Sequence, residues 1–369
     1  MKIVLFIDWF LYYTVELANA LSESHEVMLV TRDHNFEISS PAAPVSLKDF
    51  LDRCLHVRVQ HEILRFRRSD MRNIKEILRV FKLIIKFKPD ALHVQENSDW
   101  RIFLISWWFG FRRTVLTVHD VHRHPGESGR ISEWMTRGFR RKAAQLVVHG
   151  ESLKKELVNE SVAFADKTTV IPHGAFGIYR HWDDSEIAEE KHTILLFGRM
   201  TPYKGLGIIL EAEPLISREI PDINVILAGR GPELVRLRSA MVDNPHFEIH
   251  DGFIANEDIP RFFRRAAIVI LPYTEASQSG VVPLAYVFGK PVIVTSVGSI
   301  PEVVRHGETG LIVSPRAPRE LAEAVLGLLN DPSRRESMGK NARFMADTEL
   351  SWGTIAAKTT QLYSRVINR

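Results

Sequence analysis

Alternating strand-like and helix-like segments are the feature of this sequence that most restricts its fold. Short apolar runs alternate with stretches of helical spacing from residue 2 onward. Such repetition predicts doubly wound sheets of parallel strands, in which each strand is covered on both faces. The strands are predicted in two series, first KIVLFI, EVMLV, ALHVQ, TVLTV, QLVVH and TTVIP, and then ILLF, INVILA, FEIH, IVIL, PVIVT and GLIVS.

A polar, acidic and glycine-containing segment separates the two series, which is typical of a connection between compact units. We therefore predict a first Rossmann-like domain over 1–175, a linker over 176–191 and a second Rossmann-like domain over 192–350. The chain ends in three helices without an intervening strand, predicted over 318–329, 332–347 and 351–368. Since all three cannot cover one sheet edge, residues 351–369 are predicted to pack back on the first domain.

The composition is that of an ordinary globular protein, with 45% hydrophobic and 25% charged residues. Cys54 is the only cysteine, which excludes an internal disulfide and a cysteine-based metal site. The apolar N-terminus is interrupted by Asp8, and the apolar run 102–111 is shorter than the roughly 20 residues of a membrane span. These features predict a cytoplasmic protein.

Basic residues are concentrated in the first half of the chain. The segment 53–88 contains 11 basic and three acidic residues, with Arg65, Arg67 and Arg68 nearly adjacent. Such a patch fits an anionic lipid surface or a phosphorylated acceptor, and it fits equally a solvated helix face. We predict peripheral contact with the inner face of an anionic membrane and no nucleic-acid partner.

The stretch ILLFGRMTPYKG, residues 194–205, indicates an anion site. A buried strand is predicted to end at Gly198, and a helix begins after Gly205. Arg199 and Lys204 lie on the loop between them, where a guanidinium and an ammonium group suit a nucleotide diphosphate that gains charge on leaving. A solvated loop is the alternative that this stretch alone leaves open.

A second candidate lies in residues 271–304. Glu275 follows a predicted strand, at the edge where open parallel sheets bind ligands. Ser279, Gly280 and Val281 then open a predicted helix, whose free N–H groups suit phosphate or sugar oxygens. Gly280 taken alone is equally well a turn glycine.

The first βα turn argues against a dinucleotide-dependent dehydrogenase. It reads DWFLYYT, without the glycines that bring backbone against a pyrophosphate. The side chains of Trp9, Phe10, Tyr12 and Tyr13 would fill that space, or would form the wall of an acceptor pocket.

His119 and Asp120 follow the predicted strand TVLTV and therefore lie at a carboxyl edge. A single histidine in such a place is more often structural. The next residues form either a site for an acceptor phosphate or a charged loop, and with Pro125 and Gly126 they make a poor scaffold for zinc, so no metal site is predicted. The polar side chains of this segment are His122, Arg123, His124 and Glu127.

The chain resembles glycosyltransferases of family 4 with the GT-B fold. The resemblance rests on FGRMTPYKG, AGRGPE, PYTEASQSGVVPLAYVFGKPVIVT, GSIPEVV and GETGLIV in the second half, and on TVHD and VIPHG in the first. It implies two Rossmann-like domains facing a cleft, and transfer of a sugar from a nucleotide diphosphate such as a UDP- or GDP-sugar to a hydroxyl group. It further implies retention of anomeric configuration, no cofactor and no essential metal, and a saccharide or lipid-linked saccharide acceptor in bacterial surface polysaccharide biosynthesis.

The resemblance also implies roles for individual residues. Arg199 and Lys204 match the diphosphate-binding pair, and Glu275 matches the first glutamate of a two-glutamate motif that contacts the donor sugar. Ser279, Gly280 and Val281 match a turn that offers backbone amides, and His119 matches a histidine that faces the donor sugar. The second glutamate of the motif, which holds the ribose in the family, is replaced by Pro283. A nucleotide-sugar epimerase, a phosphorylase and a catalytically silent binding module remain alternatives.

Overall fold

The computed structural model describes residues 1–7, 9–33, 37, 46–66, 70–95, 99–121, 130–184 and 186–368, with only the backbone of 130–133. The chain divides into two compact units, the first formed by 1–172 with 352–369 and the second by 173–351. Both are layered α/β structures in which all strand pairs are parallel. The predicted fold class of two doubly wound parallel sheets is confirmed.

The first unit is built on a sheet that has seven strands within the described residues, in the order β3-β2-β1-β4-β5-β6-β7. Its elements are β1 (Lys2–Phe6), α1 (Leu11–Leu21), β2 (Glu26–Arg32), α2 (Leu47–Cys54), β3 (Val59–Leu64), α3 (Asn73–Phe87), β4 (Ala91–Gln95), α4 (Trp100–Phe109), β5 (Thr114–Thr117), α5 (Arg130–Lys142), β6 (Gln145–Val148), α6 (Glu151–Glu160), β7 (Thr168–Val170) and the C-terminal helix, labelled α14 below. Short 3-10 helices cover Phe111–Arg113 and Val162–Lys167.

The central strands of this sheet are apolar runs buried on both faces, as Ile3 to Phe6 show with no exposed area. Side chains of α3, α4, α5 and α6 form one core cluster against one face of the sheet. Local chemistry fixes some helix starts, since the Asp99 carboxylate accepts from the Arg101 N–H at 2.9 Å and caps α4. The strand VQHEIL, which is β3, is an addition to the six strands predicted for this half.

The second unit is built on a sheet that has six strands in the described part of the chain, in the order β10-β9-β8-β11-β12-β13. Its elements are β8 (Thr193–Phe197), α7 (Leu206–Ser217), β9 (Asn224–Gly229), α8 (Pro232–Met241), β10 (Phe247–Asp251), α9 (Ile259–Arg265), β11 (Ile268–Leu271), α10 (Val281–Val287), β12 (Val292–Thr295), α11 (Ile300–Val303), β13 (Gly310–Val313), α12 (Pro318–Leu329) and α13 (Pro332–Asp347). Short 3-10 helices cover Gly177–Trp182 and Pro202–Lys204.

Residues 176–191, predicted as a linker, lie in the second unit. Ile178 is buried there, and the carboxylates of Asp183, Glu189 and Glu190 form ion pairs within the unit. Asp183 accepts from Arg264 Nε at 2.7 Å, and Glu189 lies 2.6 Å from Lys290 Nζ. The polar composition of this segment therefore reflects surface ion pairing.

The last helix, α14 (Trp352–Ile367), belongs to the first unit, where it contacts α1 and strands β4 and β5. Trp352 packs edge-on against Tyr13 with ring centroids 4.9 Å apart. The Tyr363 hydroxyl lies 2.6 Å from Nδ1 of His93, a buried residue of β4. In the described residues, no helix is long and apolar enough to cross a bilayer.

Candidate functional site

The loop between β8 and α7 is held close against the segment that follows β11. Gly205 has a φ of 75°, and a Cβ atom there would lie 1.8 Å from the Pro272 carbonyl oxygen, so only glycine fits. The Thr274 N–H donates to the Tyr203 carbonyl at 2.8 Å. Because β8 and β11 are adjacent strands, these contacts bring the two predicted motifs together at one carboxyl edge of the sheet.

Lys204 and Ser279 are connected through Tyr273. The Lys204 ammonium lies 3.9 Å from the centroid of the Tyr273 ring and donates to its hydroxyl. That hydroxyl is 3.4 Å from the Ser279 Oγ, which in turn accepts from the Val281 N–H at 3.2 Å. Three of the predicted residues are thus joined by a nearly buried tyrosine that the sequence analysis did not select.

Lys204 is a partly buried lysine whose pKa lies close to neutral pH. Burial and, to a smaller extent, the positive charge of Arg199 together lower the pKa of Lys204 to about 7. In the described part of the chain, no carboxylate forms an ion pair with Lys204. An anion bound beside this group would raise its pKa and recover the full charge, as expected of a lysine whose partner is a ligand.

Arg199 is exposed on the same loop, three residues before the 3-10 helix that carries Lys204. The loop after β9, within the AGRGPE sequence, supports this position. The Met200 N–H donates to the Arg230 carbonyl at 2.9 Å, and a Cβ atom on Gly231 would lie 2.2 Å from the Met200 carbonyl oxygen. The close approach of these two loops fixes the backbone on which Arg199 stands.

Glu275 is exposed, four residues beyond the end of β11. Among the described residues, nothing forms a hydrogen bond or ion pair with its carboxylate. The loop that carries it is tied to the loop after β12, because the Ser299 N–H donates to the Ser277 carbonyl at 2.9 Å. Glu275 is therefore a free acceptor on a fixed backbone, which suits binding of sugar hydroxyls.

The turn at 279–281 differs in detail from the expectation of free amides. The Val281 N–H is occupied by the Ser279 Oγ. Gly280 has a helical φ of −71°, and its small size is required because a Cβ atom would lie 2.8 Å from the Phe176 ring. Gly280 thus makes room for a neighbouring ring and does not serve an unusual backbone conformation.

Three buried side-chain oxygens surround these loops without a hydrogen-bond partner in the described structure. They belong to Thr201 after β8, Gln278 after β11 and Ser299 after β12. The three strands are neighbours in the sheet, so the three residues follow the same carboxyl edge. An unsatisfied buried polar group costs about 1–3 kcal/mol, and a bound ligand or an ordered water would supply the missing partner.

The position of the missing second glutamate is closed to a ligand. Pro283, Leu284 and Ala285 are buried in α10. The next carboxylate along the chain, Glu302, is exposed on α11 after β12.

In the first unit, His119 is fully buried at the carboxyl end of β5. Its ring is stacked on Phe10, with centroids 3.5 Å apart, and its Nε2 lies 2.9 Å from the Gln95 side-chain oxygen. Its Nδ1 lies 3.2 Å from Nε2 of His149, whose Nδ1 lies 2.9 Å from the Ile171 carbonyl. The ends of β4, β5, β6 and β7 thus contribute one group each to a continuous polar chain.

The protonation states along this chain follow from the Ile171 carbonyl, which only accepts. His149 must donate from Nδ1, and burial lowers the pKa of His149 to about 4, so its Nε2 is an acceptor at neutral pH. His119 therefore donates from Nδ1.

The aromatic residues of the first turn have different surroundings. Phe10 covers His119 and has a left-handed φ of 64°, a costly conformation for a non-glycine residue. Tyr12 and Tyr13 are buried, with Tyr12 edge-on to Phe50, whereas Trp9 is exposed.

His122, Arg123, His124 and Glu127 lie outside the described residues. Within the described part, no three histidine, cysteine or acidic residues are grouped as a metal site.

Comparison with known proteins identifies the family. Residues 12–175 match the family model "Glycosyltransferase Family 4", and residues 191–331 match "Glycosyl transferases group 1". A GDP-mannose-dependent alpha-(1-6)-phosphatidylinositol monomannoside mannosyltransferase of Mycobacterium tuberculosis is 32% identical over 181 residues, which are 46% of each chain. A D-inositol 3-phosphate glycosyltransferase of Corynebacterium glutamicum is 30% identical over 240 residues, 60% of this chain and 57% of that one.

The matches thus span about half to three-fifths of the curated relatives. The structure of Anabaena HepE in complex with UDP and glucose has a TM-score of 0.75 at 17% identity, covering 99% of this chain and 100% of that one. That similarity shows the fold over the whole length. The chain belongs to the family 4 type of glycosyltransferases with the GT-B fold.

Proposed function

We propose that this protein transfers a glycosyl group from a nucleotide diphosphate sugar to a hydroxyl group of a saccharide or lipid-linked saccharide. The observation that carries the proposal is the Lys204, Tyr273 and Ser279 chain. It places a lysine of lowered pKa, with no carboxylate partner in the described residues, at the carboxyl edge of a parallel sheet. An anionic ligand is what such a lysine lacks.

The proposed reaction uses this arrangement to stabilise the leaving group. As the bond between the anomeric carbon and the diphosphate oxygen breaks, negative charge develops on the diphosphate. Arg199 and Lys204 stand on one short loop and stabilise that charge. Tyr273 holds the ammonium in place while the ring face favours its charged form. The acceptor oxygen bonds to the anomeric carbon, and its hydroxyl proton passes to an oxygen of the departing diphosphate.

Glu275 binds hydroxyl groups of the donor sugar in this proposal, since its carboxylate is exposed and the loop beneath it is fixed. The unsatisfied oxygens of Thr201, Gln278 and Ser299 are further acceptors or donors for the ligand. His119 belongs to the first unit and is assigned to the acceptor side. Because His119 is buried beneath Phe10, it contacts the substrate only after Phe10 moves, or it contributes by holding Phe10 in position.

The nature of the donor and acceptor is narrowed by the relatives. The M. tuberculosis relative is named for GDP-mannose and a phosphatidylinositol mannoside, and the Anabaena structure holds UDP and glucose. We therefore propose a hexose donor carried on UDP or GDP, retention of the anomeric configuration, no essential metal, and a role at the inner face of the membrane in bacterial surface polysaccharide biosynthesis.

The proposal is tested by incubating the purified protein with UDP-glucose or GDP-mannose, with and without saccharide acceptors. Acceptor-dependent release of the nucleoside diphosphate is expected, and proton NMR of the product reports whether the anomer is retained. Interconversion of donors without acceptor would support an epimerase. Binding of nucleoside diphosphates, seen as a raised melting temperature, without turnover would support a silent binding module.

A further inference from the structure

One layer of helices in the first unit exposes large apolar side chains. The crossovers from β3 to β4, β4 to β5 and β5 to β6 run in one direction across the sheet, so right-handed connections place α3, α4 and α5 on one face. Helix α4 lies between the other two and contacts both. We call the outer surface of this layer the apolar face. Its exposed members are Ile74, Leu78, Ile85, Leu104, Trp107, Trp108 and Trp134.

The apolar side chains of α3 and α4 form a continuous surface. Ile74, Leu78 and Ile85 are spaced by four and seven residues, so they follow one stripe along α3. Phe81 stands beside this stripe and packs edge-on against Trp108 of α4, with ring centroids 4.8 Å apart. The stripe therefore runs without interruption into the tryptophans of α4.

The three tryptophans are unusually open to solvent. Trp107 is 59% exposed, Trp108 is 70% exposed and Trp134 of α5 is 71% exposed. A contiguous apolar surface of this kind marks an interaction site. Indole rings are enriched where one side of a surface is apolar and the other polar, above all at the headgroup level of a bilayer.

The charges around the apolar face indicate the partner. Lys75, Lys82 and Lys86 are all exposed and lie along the flank of the stripe on α3. On α5, Arg137 and Arg141 follow Trp134 by three and seven residues and are also exposed.

Negative charge is nearly missing from α3 and α4. Glu76 is the acidic residue of α3, and it is buried and bonded to Arg79. The sequence of α4 contains no acidic residue. A surface that is apolar at its centre and positive at its rim complements an anionic lipid surface.

We propose that the apolar face inserts into the interfacial region of an anionic membrane, with the three tryptophans at the depth of the headgroups and the lysines of α3 on lipid phosphates. This differs from attachment by charge alone, for which the sequence suggested Arg65, Arg67 and Arg68. Arg65 is exposed shortly before α3, and the other two lie outside the described residues. The inference concerns binding without donor or acceptor, so it does not depend on the proposed reaction.

The test is co-sedimentation of the full-length protein with vesicles of phosphatidylcholine containing one third phosphatidylglycerol, at low and high salt. The wild type is expected to bind, and a substantial part of the binding is expected to survive the salt that screens charge. The double variant Trp107→Gln with Trp134→Gln is expected to lower the partition coefficient at least about tenfold. Ile74→Gln with Leu78→Gln supplies an independent second variant on α3.

A matched control is Val235→Gln with Phe344→Gln, which removes two similarly exposed apolar residues from the second unit and is expected to bind as the wild type does. Circular dichroism and melting temperatures show that the variants are folded. Complete release by salt, or equal binding of the wild type and both apolar-face variants, would overturn the proposal. The proposal would also be overturned if the wild type were dimeric by light scattering and did not bind vesicles, while the tryptophan variant were monomeric. The apolar face would then be a contact between two copies of the chain.

Discussion

Replacing Lys204 by alanine removes the group on which the proposed anion site depends. The ammonium has Tyr273 as its hydrogen-bond partner and lies beside Arg199, so the change deletes one charge-assisted contact to a diphosphate. A hydrogen bond to a charged group contributes about 1.5–3 kcal/mol, so the Kd for UDP or GDP should rise about 10- to 150-fold. The rate of transfer should also fall, by an amount that corresponds to about 2–4 kcal/mol of lost transition-state stabilisation.

The pH dependence of binding adds a sharper prediction. Because the pKa of Lys204 in the free protein is lowered to about 7, about half of the molecules carry the charge at pH 7 and about 1% at pH 9. A bound diphosphate favours the charged form, so binding takes up protons and weakens as pH rises above 7. The Kd should therefore increase up to about fiftyfold between pH 7 and 9, within the limit that the lost contact itself sets.

Folding stability should change with pH in the opposite sense. In the unfolded chain Lys204 keeps its ordinary pKa of 10.5, so between about pH 7 and 10.5 the unfolded state binds more protons than the folded state. The cost of burying this lysine is therefore fully present below pH 7 and is relieved as pH rises. Stability rising while ligand affinity falls would distinguish this titration from general alkaline unfolding.

The assay is isothermal titration calorimetry with UDP and GDP from pH 6.5 to 9.5, in pairs of buffers that differ in ionisation enthalpy. At pH 7 the wild type should take up about half a proton on binding. Lys204→Arg is the matched control, since a guanidinium stays charged throughout, and its affinity should be independent of pH. A wild-type Kd that does not change over this range, or an unchanged slope in Lys204→Ala, would refute the reasoning.

Three further predictions concern the remaining site residues. Arg199→Ala should leave the melting temperature unchanged, because the side chain is exposed. It should lower kcat/KM by an amount that corresponds to about 2–4 kcal/mol of lost transition-state stabilisation, and wild-type turnover would show that Arg199 is not part of the site. Glu275→Gln should impair transfer much more than Glu302→Gln in the same assay, and equal or reversed effects would show that the motif is misaligned. His149→Phe should lower the free energy of unfolding by about 1–3 kcal/mol, because the Ile171 carbonyl and the His119 N–H lose their partner. Since burial lowers the pKa of His149 to about 4, the free energy of unfolding of the wild type should fall as pH drops from 6.5 towards 4. In that pH range, the variant should bind about one proton fewer on unfolding than the wild type does. An equal number of protons bound by both proteins would contradict the burial of His149.

Most strands of the second unit were predictable because they are short apolar runs buried on both faces; β10, at the edge of the sheet, is only partly buried. Strand β3 was not, since it lies at the edge of its sheet and its sequence VQHEIL mixes polar and apolar side chains. Most of the apolar run 102–111 lies in α4, and nothing in its sequence distinguishes the buried side of that helix from the exposed Trp107 and Trp108.

For the site, the residue types on the loops were predictable and their contacts were not. Lys204 and Tyr273 are 69 residues apart, and their hydrogen bond exists because β8 and β11 are neighbours in the sheet. Strand order depends on the packing of the whole unit, which no local pattern records. The same holds for His119, whose partners come from the ends of β4 and β6.

The central claim is that a nucleoside diphosphate binds the loops after β8 and β11, and hydrogen exchange measured by mass spectrometry tests it most directly. With saturating UDP or GDP, amides in peptides covering 198–206 and 273–282 should be protected, and Lys204→Ala should lose that protection at the same ligand concentration. Peptides covering 100–121 of the first unit should not change. Protection confined to other parts of the chain, or no protection by either nucleotide at concentrations that raise the melting temperature, would contradict the account.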